Sequence, residues 1–233
     1  MPDREHRIAA MLDAVDAVTD GAPPRVLDLA GGTGTISLRA LARFPGAVAT
    51  VLDQDPVLLS LARGSLAGQA TVVAADLGRS QWVDVLPHRD YDAVLTATAL
   101  HWLPADRVAA LYAEVRAVLR PGGVFVNADH MPDDSTPVLT KRIMARADTH
   151  RHARYRTGAA LSWQEWWARA AADEDLASLV RDRERIYPAD HHNQEWTPPA
   201  TWHVNALTAA GYAEAGVLWR SGADAAVIGL KEG

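Results

Sequence analysis

The chain has 233 residues, 48% of them apolar and 22% charged, which suits one globular domain with a sizeable core. It has no cysteine, which excludes disulfides, thiolate metal sites and cysteine nucleophiles, and its net charge of −6 argues against a general binder of nucleic-acid backbones. No apolar stretch approaches the ~20 residues that cross a bilayer, and residues 1–7 are polar where a secretory signal would turn apolar, so we expect a cytoplasmic protein without membrane or nucleic-acid partners.

Apolar runs and helical patterns alternate along the chain. Residues 7–18 carry apolar side chains at helical spacing, which predicts an N-terminal helix within residues 1–20. Strands are then predicted over residues 25–29, 48–52, 70–74, 91–96 and 124–128, and helices over residues 35–44, 56–67 and 106–119. Continuous apolar strands separated by helices indicate an α/β fold of the Rossmann-like type, a mostly parallel sheet with helices on both faces.

The composition changes after Asp129. Residues 130–203 hold five of the eight tryptophans and six of the nine histidines without a convincing strand, so we interpret them as a helical insertion or lid. Residues 213–220 and 223–231 regain strand character around a short turn with Gly222, which predicts a C-terminal antiparallel hairpin and seven strands in all. We therefore expect residues 1–233 to form a single domain with the lid inside it.

A glycine-rich loop, residues 30–34, joins the first strand to the first helix of the sheet. Glycines allow a sharp turn and close approach of a ligand to the main chain. The second strand is followed by Asp53, 19 positions after Gly34, close to the ~20-residue separation expected for a carboxylate that binds ribose hydroxyls. Dinucleotides and S-adenosylmethionine both fit this spacing. Asp28 favours the second, because a carboxylate at the loop repels a pyrophosphate and tolerates a ligand with sulfonium and ammonium groups.

Several segments at these strand ends resemble the class I S-adenosylmethionine-dependent methyltransferases. Asp28-Leu29-Ala30-Gly31-Gly32-Thr33-Gly34 is similar to the family's first motif, with Ala30 in place of the usual first glycine. Asp53-Gln54-Asp55-Pro56 resembles the second motif, whose acidic residue holds the ribose hydroxyls. Ala75-Asp76-Leu77 resembles the third, in which the acidic side chain meets the adenine amino group and its neighbours flank the ring.

The resemblance covers most of residues 25–129 and the final hairpin. Residues 91–96 with Leu100-His101-Trp102-Leu103 resemble the fourth strand and its exit, and residues 119–123 resemble the turn into the fifth strand. It implies S-adenosyl-L-methionine as the cofactor, held by Asp28, Ala30, Gly31, Gly32, Gly34, Asp53, Gln54, Ala75, Asp76, Leu77, Thr96 and His101. Taken singly, Asp53 and Asp76 also suit ordinary capping positions. Asp92 begins a strand, away from the ligand edge, and is expected to be structural.

Two histidines are candidate catalytic bases for a hydroxyl acceptor, His101 beyond the fourth strand and His192 in the lid. The alternative for His101 is that it walls the methionine pocket together with Trp102, or that both pack under the next helix. His191 and His192 with Asp190, and Asp129, His130 and His203, are residue types that bind zinc or iron, but adjacent histidines are poorly spaced for one ion, so no metal is expected.

The predicted lid has two further patterns. A basic stripe, Arg142, Arg146, His150 and Arg154, repeats every four residues along one helix face, which suits solvent or an anionic acceptor. Trp163, Trp166 and Trp167 follow at helical spacing and suit either a packed core or a platform for an aromatic acceptor.

The sequence favours methyl transfer to a small molecule, anionic or aromatic, in specialised metabolism, by a monomer or homodimer. Three alternatives stay open at this point. The same cofactor pocket suits a reaction without methyl transfer, such as cyclisation of S-adenosylmethionine. The glycine loop, which dinucleotide-binding proteins share, is also compatible with an NAD-dependent oxidoreductase. The fold alone is compatible with a non-catalytic binding module. The segment Thr96-Ala97-Thr98-Ala99 lacks a base-flipping motif, which argues against nucleic-acid methylation.

Overall fold

A computed structural model describes residues 4–187 and 195–233. Within them, the chain forms a seven-stranded sheet with helices on both faces. The strands are β1 Arg25–Leu29, β2 Val48–Asp53, β3 Ala70–Ala74, β4 Tyr91–Ala97, β5 Leu119–His130, β6 Glu214–Ser221 and β7 Asp224–Leu230. The helices are α1 Arg4–Thr19, α2 Thr35–Arg43, α3 Pro56–Leu66, α4 Ala105–Val118, α5 Pro137–Arg156, α6 Trp163–Ala172, α7 Ala177–Ile186 and α8 Ala200–Ala209. Short 3-10 helices cover Ser80–Val85 and Leu100–Trp102.

The strand order is β3-β2-β1-β4-β5-β7-β6. Strands β1 to β5 pair in parallel, and β7 pairs antiparallel with both β5 and β6. The chain leaves β1 toward β2 on one side and returns to β4 on the other, so the order reverses between β1 and β4. Open α/β sheets bind ligands at the carboxyl ends of the strands at such a reversal. The predicted Rossmann-like class and the antiparallel hairpin are confirmed.

The core lies on both faces of the sheet, as the continuous apolar strands predict. Helices α1, α2 and α3 cover one face, where Val26, Ile36 and Leu95 are buried. Helices α4 and α8 cover the other face, around Leu27 and Phe125. The apolar packing on both faces positions the carboxyl ends of the strands relative to one another.

Two boundaries differ from the sequence prediction by more than one residue. Strand β5 begins at Leu119 rather than Val124, because Leu119 already pairs with Tyr91, and the ladder is irregular before Ala93 pairs with Val124. The end of the predicted lid at residue 203 falls inside α8, which packs on β6, β7 and α4. Grouping residues 130–203 as one lid stays a prediction.

Asp92 has the structural role expected of it. Its carboxylate accepts a hydrogen bond from the backbone amide of Arg25 at 2.7 Å and from Nε of Arg120 at 2.5 Å. These contacts join the beginnings of β1, β4 and β5 at the edge opposite the glycine loop.

Candidate functional site

The glycine loop between β1 and α2 needs small residues for two different reasons. Gly32 and Gly34 have φ angles of +55° and +75°, in the left-handed region that side chains disfavour. A Cβ at Gly31 would lie 2.6 Å from Cγ of Asp28. Ala30 also has a positive φ, +51°, which gives a physical reason for the family's usual glycine at this position.

Asp28 lies fully buried beneath this loop. Its Oδ2 accepts hydrogen bonds from the backbone amide and the hydroxyl of Ser37, both at 3.0 Å. Its Oδ1 is buried without a hydrogen-bond partner in the described part of the chain. Burial raises the pKa of Asp28 to about 7, even though the two Ser37 bonds favour the charged form. The site therefore has an unsatisfied buried acceptor directly below the loop.

Asp53 ends β2 and ties it to the glycine loop. Its Oδ2 accepts a hydrogen bond from the amide of Gly32 at 2.8 Å. Its Oδ1 accepts bonds from the amides of Gln54 and Asp55, at 2.7 and 2.9 Å. Burial raises the pKa of Asp53, and the three amide bonds oppose this effect.

The third strand ends beside the second. The amide of Ala75 donates to the carbonyl of Asp53 at 2.9 Å. Asp76 is exposed, and its Oδ1 accepts a hydrogen bond from the backbone amide of Gly78 at 2.7 Å. This bond closes a turn, as expected if Asp76 has a capping role. Leu77 is buried in the core that includes α4. The structure thus brings the predicted loop and strand-end residues to one edge, and their role in binding stays a prediction.

His101 lies on the other side of the loop, in the 3-10 helix that follows β4. Its Nδ1 is 2.7 Å from Oδ1 of Asp129, at the end of β5. Its backbone amide donates to Oδ2 of the same carboxylate at 3.2 Å, and its carbonyl accepts the amide of Trp196 at 2.9 Å. Thr96 is buried nearer the loop, and its hydroxyl has no partner among the described residues. The sheet register sets Asp28 beside Leu95, which brings the β4 exit next to the glycine loop.

The remaining histidines weighed as metal ligands have other partners or lie outside the described residues. His130 pairs with Asp224 at 2.7 Å, and this hydrogen bond raises the pKa of His130. His203 is bonded through Nδ1 to the hydroxyl of Tyr112 at 2.6 Å, and burial lowers its pKa to about 4. No cluster of three potential metal ligands occurs in residues 4–187 and 195–233. The candidate base His192, with Asp190 and His191, lies outside the described residues.

The sequence did not predict the contacts that the lid makes near Asp53. Nε of Arg183 in α7 is 2.6 Å from Oδ2 of Asp55, whose other oxygen caps α3. Tyr187 follows α7, and burial together with the charges of Asp53 and Asp55 raises its pKa. Asp55 before a proline is a recognisable helix cap. Its partner Arg183 is 128 residues away, and no pattern in the sequence links the two.

The lid patterns have a mixed outcome. The basic stripe does lie on one helix, α5, and all four of its side chains are exposed. Trp166 and Trp167 pack edge to face at 4.7 Å within a small core that joins α3, α6 and α7, whereas Trp163 is largely exposed. Packing is thus the observed role of two of these tryptophans. No helix in the described ranges is both long and apolar enough to span a membrane.

The donor and acceptor pattern fits S-adenosylmethionine better than a dinucleotide. The unpartnered Oδ1 of Asp28 suits a ligand that brings positive charge or N–H donors, and it disfavours a pyrophosphate. The missing Cβ of Gly31 lets Asp28 pack directly against the loop, since a Cβ there would lie 2.8 Å from Oδ1 of Asp28. Asp53, at the end of β2, already accepts three backbone amides, and its role in binding the ribose stays a prediction, as do the roles of Gln54, Asp76 and Leu77.

Comparison with known proteins agrees with this fit. A family model described as a methyltransferase domain matches residues 26–123. An uncharacterized methyltransferase from Mycobacterium tuberculosis is 37% identical over 111 residues, 48% of this chain and 42% of that protein. A ubiquinone/menaquinone biosynthesis C-methyltransferase from Rhodopseudomonas palustris is 35% identical over 122 residues, 50% of this chain and 46% of that protein. The chain therefore spans less than half the length of these curated relatives.

A solved structure shares the fold across nearly the whole chain. An O-methyltransferase family protein from Burkholderia thailandensis superposes with a TM-score of 0.60 and 20% identity, over 98% of this chain and 58% of that one. Residues 26–123 therefore match a methyltransferase domain, and the chain shares the fold of the class I S-adenosylmethionine-dependent methyltransferases.

Proposed function

We propose that this protein transfers the methyl group of S-adenosylmethionine to a small-molecule acceptor in specialised metabolism. When bound, S-adenosylmethionine supplies an electrophilic methyl group, whose bond to sulfur breaks with its electron pair staying on sulfur as the acceptor–methyl bond forms. The tasks left to the protein are to hold both molecules in line and to exclude water.

The observation that carries this proposal is the division of the sheet edge between two kinds of residue. On the β1–β2–β3 side lie the glycine loop and the carboxylates of Asp28, Asp53 and Asp76. On the β4–β5 side lie His101, Asp129 and aromatic side chains. The first group suits a charged nucleoside ligand, and the second suits a mostly apolar acceptor that meets it where β1 and β4 adjoin.

Aromatic rings on the acceptor side favour a planar acceptor. Trp102 is 40% exposed, and its ring centroid lies 4.9 Å from that of His101. Trp196, whose amide bonds to His101, packs edge to face against Trp202 at 4.5 Å. Flat apolar walls of this kind bind aromatic rings by stacking and edge contacts. The basic stripe of α5 also supports acceptors that carry a negative charge.

Calorimetric titration tests the cofactor half of the proposal. S-adenosylhomocysteine should bind the wild-type chain with micromolar affinity, and Asp53→Asn should weaken it about tenfold or more, since a charged hydrogen-bond partner of the ribose is lost. Asp90→Asn is the matched control, because Asp90 is an exposed carboxylate paired with Arg25 at the opposite edge of the sheet. Absence of binding by both S-adenosylmethionine and S-adenosylhomocysteine would refute the proposal.

Mass spectrometry tests the reaction. Incubation with S-adenosylmethionine and a panel of aromatic small molecules should give S-adenosylhomocysteine and a methylated acceptor in equal amounts. A new product from S-adenosylmethionine alone, formed without any acceptor, would favour cyclisation instead.

A further inference from the structure

Tyr187 follows helix α7 and lies beside the end of β2, among residues predicted to bind the cofactor. Its hydroxyl is hydrogen-bonded to the side chain of Gln54, and its phenol lies close enough to Asp53 and Asp55 to feel the charges of both carboxylates. Gln54 and Asp53 belong to the strand end, whereas Tyr187 belongs to the insertion after β5. The insertion therefore reaches the sheet edge at the carboxylate proposed for the ribose.

The position of Tyr187 is fixed by its neighbours in the lid. Its backbone amide donates to the carbonyl of Arg183 at 2.9 Å, which closes the last turn of α7. The Arg183 guanidinium lies 4.9 Å from the ring centroid of Tyr187 and 3.8 Å from that of Trp167, so cation–π contacts hold both rings. Val180 anchors α7 in the small core that it shares with α3 and α6.

A continuous series of contacts joins Tyr187 to the glycine loop. Arg183, on which Tyr187 packs, donates through Nε to Oδ2 of Asp55 at 2.6 Å. The backbone amide of Asp55 donates to Oδ1 of Asp53 at 2.9 Å, and Oδ2 of Asp53 accepts the amide of Gly32 at 2.8 Å. Direct contacts therefore place helix α7 and the glycine loop relative to each other.

A nucleoside ligand needs a second wall of this kind. Binding pockets bury about 70–90% of a small ligand's surface, and the strand ends with their loops provide only one side. Ribose and adenine have broad, mostly apolar faces with polar groups at their edges, which suits the apolar ring and polar tip of a tyrosine. Tyr187 is half-buried, so part of its surface is open to such a contact. Because burial and the charges of Asp53 and Asp55 raise the pKa of Tyr187, its ring stays neutral.

We propose, on the basis of the methyl-transfer function above, that Tyr187 is a cofactor-binding residue whose ring covers the nucleoside of S-adenosylmethionine beside Asp53. In this arrangement the nucleoside lies between the end of β2 and the Tyr187 ring. Release of the product S-adenosylhomocysteine then requires Tyr187 to move, because substrate and product share the nucleoside. The insertion thereby contributes to the cofactor site, a role that its sequence did not predict.

Binding of S-adenosylhomocysteine to the full chain tests this assignment. Tyr187→Ala should weaken the affinity about tenfold or more, mainly through faster dissociation, because an aromatic wall of the site is lost. Tyr187→Phe keeps the ring and loses the hydroxyl, so it should weaken the affinity less than about fivefold. The matched control is Tyr155→Ala, since Tyr155 is a half-buried tyrosine of α5 in edge contact with His152, and its removal should change the affinity less than about twofold.

A second probe, 5′-methylthioadenosine, shows which part of the ligand Tyr187 contacts. It shares the nucleoside of S-adenosylhomocysteine and lacks the amino-acid part. Tyr187→Ala should therefore weaken the binding of both probes by the same factor, within about twofold. A loss confined to S-adenosylhomocysteine would place Tyr187 at the amino-acid end, and this result would overturn the proposal, as would equal affinities of Tyr187→Ala and wild type.

Nuclear Overhauser effects separate contact with the ligand from loss of structure in α7. In tyrosine-labelled wild type with S-adenosylhomocysteine bound, the ring protons of Tyr187, assigned by their loss in Tyr187→Phe, should show effects to ribose or adenine protons. A tyrosine that only packs against Arg183 gives none, and their absence would overturn the proposal even if Tyr187→Ala binds weakly. Failure of the wild type to bind S-adenosylhomocysteine refutes methyl transfer instead, so the two failures are distinguishable.

Discussion

Arg183→Met should release helix α7 from Asp55, two residues after Asp53 at the end of β2. Arg183 and Asp55 form an ion pair at 2.6 Å whose side chains are 11% and 4% exposed. The guanidinium also lies 3.8 Å from the ring centroid of Trp167. Helices α6 and α7 pack on α3 and on each other, and this pair is a buried polar contact across their small interface.

The expected loss of stability is about 3 kcal/mol. Removing one partner of a buried ion pair costs roughly 3–5 kcal/mol, because the other charge stays buried without compensation. Asp55 keeps two backbone donors, the amides of Val57 and Leu58 at 2.9 and 3.2 Å, which places the cost at the lower end. For a chain of this size each kcal/mol lowers Tm by about 2–4 °C, so Tm should fall by about 10 °C.

Urea denaturation and amide hydrogen exchange measure this effect. Exchange should accelerate in α6 and α7 by more than in α4, whose protected amides exchange only through global unfolding. The control is Arg185→Met, because Arg185 pairs with Asp182 on the surface, with side chains 77% and 51% exposed, and such pairs contribute under about 1 kcal/mol. A loss below about 1 kcal/mol for Arg183→Met, with unchanged exchange in α6 and α7, would refute the reasoning.

The same variant should weaken cofactor binding. Helix α7 leads into Tyr187, which lies close to Gln54, Asp53 and Asp55. Release of α7 uncovers Asp53, the carboxylate proposed to bind the ribose, and we expect about tenfold weaker binding of S-adenosylhomocysteine, equal to about 1.4 kcal/mol. Calorimetry of Arg183→Met beside Arg185→Met gives the comparison.

The glycine loop and Asp28 support three further predictions. Gly31→Ala should reduce the affinity for S-adenosylhomocysteine at least tenfold, because the new Cβ meets the Asp28 carboxylate. Gly64 faces open space within α3, so Gly64→Ala should instead stabilise the fold by about 0.5–1 kcal/mol. Equal behaviour of the two variants in calorimetry and urea melts would contradict this. Ala30→Gly should fold and bind like wild type, because it relieves a positive φ, and a clear loss in the same assays would show that the Ala30 methyl matters. Burial raises the pKa of Asp28 in the folded state from 3.8 to about 7, so between these pH values the folded state keeps a proton that the unfolded state loses. The free energy of unfolding of the ligand-free protein should therefore fall by up to about 4 kcal/mol as the pH rises through this window. Asp28→Asn should flatten this slope in urea melts from pH 4.5 to 7.5, and parallel curves for the two proteins would exclude Asp28 as its source.

The position of the predicted cofactor residues at one sheet edge could be foreseen because each of them is encoded locally. Asp28, the glycine loop and Asp53 each lie within a few residues of a strand end, and parallel strands bring their carboxyl ends to one edge. Apolar runs separated by helical patterns determine both the strands and their burial on two faces. The order of the elements and the gathering of these residues at one sheet edge therefore follow from the sequence itself.

Only the tertiary structure showed the contacts that join distant segments. His101 and Asp129 are 28 residues apart, and Arg183 and Asp55 are 128 residues apart, so no local pattern relates them. Asp129 follows a predicted strand, so its position at the ligand edge could have been predicted. Its pairing with His101 could not, because it depends on the β4–β5 register and on the 3-10 helix after β4. Long-range partners depend on how elements pack, whereas element type and strand-end chemistry depend on neighbours in sequence.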